Sequence, residues 1–106
     1  MKTYMMVWSN PVSDEREESF NAWYDDVHIP EITALAGVNR ATRFTLTETQ
    51  SDGPAPDHKY LTVYEIDGDD VQGVVDAIKV ARPTMTGTDT IQVGTVKSMT
   101  VRQLGV

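Results

Sequence analysis

Apolar residues recur along this chain with two spacings, and the places where the spacing changes mark out its elements. From Thr3 to Ser9, Tyr4, Met6 and Trp8 occupy one parity and Met5 and Val7 the other, which predicts a strand covered on both faces. Asn10 and Pro11 interrupt it. Ser13 or Asp14 can cap a helix whose first turn carries Asp14, Glu15, Glu17 and Glu18, the charges its dipole favours. Phe20, Trp23, Tyr24 and Val27 then fall at i, i+3, i+4 and i+7, an apolar stripe that needs a surface to pack on. Pro30 disfavours helical geometry at Ile29, so this helix is expected to end near His28, with a short second turn running from Pro30 through Ile32 and Leu35 to Gly37.

Alternation returns from Val38 to about Thr47, where Val38, Arg40, Thr42, Phe44 and Leu46 oppose Asn39, Ala41, Arg43 and Thr45. Gln50 to Asp57, with Gly53, Pro54 and Pro56, predicts a surface loop. Lys59 to Ile66 forms a third alternating segment. Asp69 and Gln72 make a capping pair for a second helix in which Val71, Val74, Val75 and Ile78 repeat the core spacing, and Pro83 ends it. After a Thr-rich loop from Thr84 to Thr90, Val93 to Leu104 alternates as a last, long strand.

The order β-α-β-β-α-β, in a single domain spanning residues 1–106, predicts an α+β ferredoxin-like fold: a four-stranded antiparallel sheet with both helices on one face. If helices cover one face, Met5, Val7, Leu61 and Val63 cannot all share it with Tyr4, Met6, Tyr60 and Tyr64. The set pointing away then forms a larger apolar patch than soluble monomers tolerate. A second copy laid against that face is the simplest cover, since stable interfaces bury roughly 800 Å² per partner. A homodimer through the sheet face is therefore expected.

Composition narrows the function more than it alters the fold. Sixteen acidic against nine basic residues give a formal charge of -7 and repel a phosphate backbone, so nucleic acid is not an expected partner. With no cysteine, disulfides, thiolate metal sites and cysteine nucleophiles are excluded. No apolar run approaches the roughly 20 residues that span a bilayer, and the N-terminal stretch is too short for a secretory leader; a soluble, cytoplasmic protein with no membrane partner is the default. Two histidines thirty residues apart lack zinc-site spacing, and no Gly-rich phosphate loop or Gly-x-Ser-x-Gly motif is present. No cofactor and no metal is expected. Acid–base chemistry on a small organic molecule remains.

Phe20, Trp23, Tyr24, Asp25, His28 and Pro30 form the pattern Phe-x-x-Trp-Tyr-Asp-x-x-His-x-Pro, followed by a turn at Gly37-Val38 and an Arg43-Phe44 strand. This first half resembles the EthD-like branch of the dimeric α/β-barrel superfamily; from Gln50 onward only the element order agrees. The resemblance implies a homodimer whose two sheets form a barrel, with a ligand cavity between sheet and helices in each subunit. It also implies a choice among cofactor-free cyclases, isomerases, dehydratases and oxygenases acting on aromatic, polyketide or lactone compounds. Haem-degrading members place an axial histidine on the second helix, and the stretch from Asp69 to Arg82 has none.

His28 is the sharpest catalytic candidate. On a helix it lies one turn from Tyr24 and three residues from Asp25, so Asp25 can fix the imidazole tautomer while the other nitrogen moves a proton. The same position serves equally as a C-terminal cap, where the dipole favours a partly positive ring. Tyr4, Trp8, Tyr60 and Tyr64 on strands can orient a small ligand bearing one or two oxygens, and Arg43 can hold a carboxylate or enolate, although each is also an ordinary core or surface residue. Trp23 and Phe20 are expected to pack. His58, beside the Pro-rich loop, is expected to be solvent-exposed. The leading expectation is an isomerase, cyclase, dehydratase or retro-aldol lyase using His28, Asp25 and Tyr24. The alternatives are a non-catalytic small-ligand-binding or auxiliary dimer, and a cofactor-free oxygenase of phenolic compounds.

Overall fold

The computed structural model describes residues 2–53 and 57–105. Four strands, β1 (Thr3–Ser9), β2 (Val38–Thr45), β3 (Tyr60–Ile66) and β4 (Lys97–Arg102), form one sheet in the order β2-β3-β1-β4, with every neighbouring pair antiparallel. Between β1 and β2 lie α1 (Glu17–Trp23) and α2 (Ile29–Thr33), and between β3 and β4 lies α3 (Val71–Ala81). This is the ferredoxin-like α+β arrangement expected from the apolar spacing. The Gln50-to-Asp57 loop was expected from its prolines, and Pro54 to Pro56 within it lie outside the described residues.

The core sits between the helices and one sheet face. Ile32 from α2 and Val74 and Ile78 from α3 pack on Met5, Val38, Tyr64 and Ile66. Phe20 and Tyr24, both buried, extend this layer toward Tyr60, with Phe20 and Tyr24 meeting edge to face at 5.1 Å. The turn into β2 requires glycine twice over. Gly37 has φ +91°, and a Cβ there would stand 2.7 Å from Val74 Cγ2, so the close approach of α3 depends on its absence. Asp70 caps α3 by accepting from the Gly73 N–H at 2.9 Å, one residue later than the Asp69 cap expected from the Asp69 and Gln72 pair.

Two other boundaries differ from expectation. The first helix does not stop at His28: a π-helical turn, Tyr24–His28, joins α1 to α2, with the Ile29 N–H reaching the Tyr24 carbonyl. A widened turn shifts the hydrogen-bond ladder, and Pro30, which has no N–H to lose, sits at the start of α2 where that costs least. The last strand is also shorter than Val93 to Leu104. Val93–Thr95 is a 3-10 turn held by Asn10 N–H on Thr95 Oγ1 at 3.0 Å and by His58 Nε2 on the Thr95 carbonyl at 2.8 Å, so pairing begins at Lys97. His58 is thus half-buried and spent on this contact.

Pairing register sorts the other sheet face into three cross-strand rows. Phe44, Leu61, Trp8 and Lys97 make one; Thr42, Val63, Met6 and Met99 the next; Arg40, Glu65, Tyr4 and Val101 the third. No helix covers these rows, and Phe44, Met99 and Val101 remain 51%, 56% and 40% exposed. No helix of the described residues is long and apolar enough to cross a membrane.

Candidate functional site

The π turn decides which side chains meet. In an α-helix, Asp25, three residues before His28, would share its side; in a wider turn residues five apart come into line instead. The Trp23 indole accordingly stacks on the His28 imidazole, with centroids 4.5 Å apart and planes 18° from parallel. Tyr24 meets the same imidazole edge-on at 5.3 Å. Asp25 is turned outward, and its carboxylate accepts from Arg43 Nη1 at 3.2 Å. The expected Asp25-to-His28 orienting contact is therefore not formed. His28 Nδ1 is buried with no hydrogen-bond partner among the described residues.

His28, Tyr24, Tyr64 and Trp23 line a cavity of about 340 Å³ between the helices and the sheet, floored by Met5 and Val7. Ile91, Val93 and Val96 line one end, and Arg82 and Ser98 supply polar groups at its wall. The loop leading into this segment is clamped to the first helical stretch through Thr86: its N–H donates to the Glu31 carboxylate at 3.1 Å, and its carbonyl accepts from Trp23 Nε1 at 3.1 Å. Trp23 therefore does more than pack, since it forms the cavity wall, stacks on His28 and anchors the loop. Its five-residue offset from His28 is invisible to a 3.6-residue pattern, and the loop's contribution has no local signature.

Electrostatics sets the protonation of this wall. Burial holds the His28 imidazole below its ordinary value; Glu31 opposes this and Arg82 adds to it. The ring is neutral at neutral pH, the state of a general base. Tyr24 is pushed up by burial, opposed by its hydrogen bond to Ser9 and by Arg43, and Tyr64 is pushed up by burial and by Tyr24. Both phenols stay protonated. The Tyr24 hydroxyl shares a 3.1 Å hydrogen bond with Ser9 Oγ, which fixes its ring against the cavity.

The other sequence candidates divide into two groups. Arg43, Asp25 and Tyr60 form a cluster behind Tyr24, outside the cavity. The Arg43 guanidinium lies 4.6 Å from the Tyr24 ring centroid and 5.4 Å from that of Tyr60, and donates to Asn21 Oδ1 at 2.9 Å. The Tyr60 hydroxyl donates to Glu17, which also receives Lys59. Tyr4 and Trp8 belong to the uncovered sheet face, opposite to His28. Among the described residues no three His, Asp or Glu side chains converge as a metal site requires.

No family model matches the chain, and no curated protein matches it. Its fold is similar to the crystal structure of an ethyl tert-butyl ether D (EthD) family protein from Bacillus halodurans, with 11% sequence identity and a TM-score of 0.63 over 98% of this chain and 100% of that one. The chain has an EthD-like fold.

Proposed function

We propose that the protein is a cofactor-independent enzyme of the proton-transfer type, acting on a small, largely apolar organic molecule, with His28 as general base and then acid. One observation carries the reading: a desolvated, neutral imidazole, stacked on Trp23 and edge-on to Tyr24, in the wall of a cavity of about 340 Å³. Nε2, the ring nitrogen opposite the enclosed Nδ1, takes a proton from a carbon beside a carbonyl. The C–H electron pair becomes a C=C bond, the carbonyl pair moves onto oxygen, and return of the proton at a second position completes an isomerisation with no outside oxidant. Tyr64 in the same wall is a protonated phenol suited to the developing oxyanion.

The assembly that goes with this reading is a homodimer of the 1–106 domain through the uncovered sheet rows. Met6, Val63, Leu61 and Trp8 at their centre form an apolar surface, bordered at one end by the charged cluster in which Lys2 and Arg40 pair with Glu65 at 3.3 Å each. Water on such a face costs more than a second copy of it.

A second reading, a non-catalytic binding dimer, is favoured by one contact. With Asp25 committed to Arg43, no described carboxylate fixes the His28 tautomer. The two readings separate on deuterium exchange from D2O into a panel of enolisable aryl ketones and β-keto esters, followed by NMR. The proposal expects exchange by the native protein and a loss of about 10²-fold or more in His28→Gln. A loss under about threefold, with folding intact, removes His28 from the chemistry; ligand binding without any exchange assigns the cavity to binding alone.

A further inference from the structure

The His28 cavity does not end at its polar wall. Met5, Ile78, Arg82 and Ser98 also line an adjoining groove of about 470 Å³ that runs between α3 and β4. The groove exists because β4 turns Ser98 and Thr100, short polar side chains, toward the helix layer, and α3 does not close over them. Lys79 and Gln72 stand on its opposite bank.

Charge is distributed unevenly around this groove. Lys2, Arg16, Arg40, Arg43 and Lys59 are each paired with a carboxylate. Among the described residues Lys79, Arg82, Lys97 and Arg102 have no such pair, and of these four Lys79 and Arg82 line this one groove, although the chain carries a net charge of -7. A helix C-terminus favours cations whatever their use, which accounts for their position along α3. It does not account for both facing one groove that opens into the cavity beside His28.

We propose that this groove is an anion subsite, and that the substrate is a small organic carboxylate whose apolar body lies against Trp23 and His28 and whose carboxylate is held by Arg82, with Lys79 in support. The proposal rests on the His28 cavity being the ligand site. The guanidinium's planar fork matches a carboxylate's two oxygens, and Lys79 and Arg82 together make the groove locally cationic on a chain whose net charge is -7. Arg82 is already close enough for its charge to act on His28. A bound carboxylate would neutralise that charge and strengthen the base at the moment of binding.

The test compares 2-naphthoate with the neutral 2-naphthylmethanol by calorimetry at low salt, with the His28 ring followed by NMR. The native protein should bind naphthoate at least about tenfold more tightly. Arg82→Gln, at an exposed position, should bring the two within about twofold, while Lys2→Gln, which removes the same charge beside Glu65 on the opposite sheet face, should leave the preference intact. Equal binding of both probes with His28 perturbed by each overturns the anion subsite and leaves the cavity as the ligand site. Binding of neither, with His28 unmoved, overturns the cavity itself and the subsite with it.

Discussion

The same four strands present two unlike faces. On the helix side, Met5, Tyr64, Ile66 and Val38 are sealed by Ile32, Val74 and Ile78, and the hydroxyls that enter the layer are enclosed with them: Ser9 is paired with Tyr24, and Thr62 is buried beside them on β3. Packing is open toward β4, where the cavity and groove lie. On the far side, Met6, Val63, Leu61 and Trp8 form apolar rows with no helix above them, and Trp8 and Met99 border only a smaller hollow of about 220 Å³ beside His58. The difference separates two tasks. In the proposed reading one face would take a ligand in the gap of a packed layer, and the other would take another copy of the chain. Substitutions can therefore change either task alone.

Phe20→Ala should break the covered face most severely. It removes a fully buried ring that meets Tyr24 at 5.1 Å and Tyr60 at 5.3 Å, and a loss of about 3–5 kcal/mol in urea unfolding is expected. A loss below about 1 kcal/mol would mean that this layer is not the core. Met6→Asp strikes the open face instead. A carboxylate between Val63 and Met99 costs several kcal/mol if the face is buried against a partner, so light scattering should fall from about twice the chain mass to one, with helical content kept. An unchanged mass would place the interface elsewhere. Tyr24→Phe sharpens the comparison with a smaller effect: stranding the Ser9 hydroxyl should cost about 1–2 kcal/mol without altering association.

Periodicity made the element order legible because sheet and helix each impose one spacing, although the last strand begins at Lys97 rather than at Val93. Where the spacing rule was applied inside the first helical stretch it misled. It paired Asp25 with His28 as α-helical neighbours, whereas the π turn, compatible with Pro30, gives Asp25 to Arg43 and Trp23 to His28. Parity along β1 and β3 placed Tyr4 and Trp8 on the same strand face, but which face the helices cover depends on the pairing of Met5 with Tyr64, a long-range register that no local pattern contains. His28, Tyr24 and Tyr64 do converge on one cavity. Arg82, Ser98 and the Ile91-to-Val96 segment reach it from distant parts of the chain, and only tertiary packing brings them there.

The proposed function requires His28 to be a desolvated, neutral base in a ligand cavity. Because its folded value is depressed, its contribution to stability is present above about pH 6.5 and is lost as pH falls from there through the folded value. The most direct measurement is the NMR titration of the two histidine rings, assigned with His28→Gln, before and after adding 2-naphthoate. His28 is expected to titrate below about 6.5 in the free protein, and its ring signals, not those of His58, are expected to move when the ligand binds. A His28 that titrates at or above that value, and whose signals ignore the ligand, would contradict the proposed function.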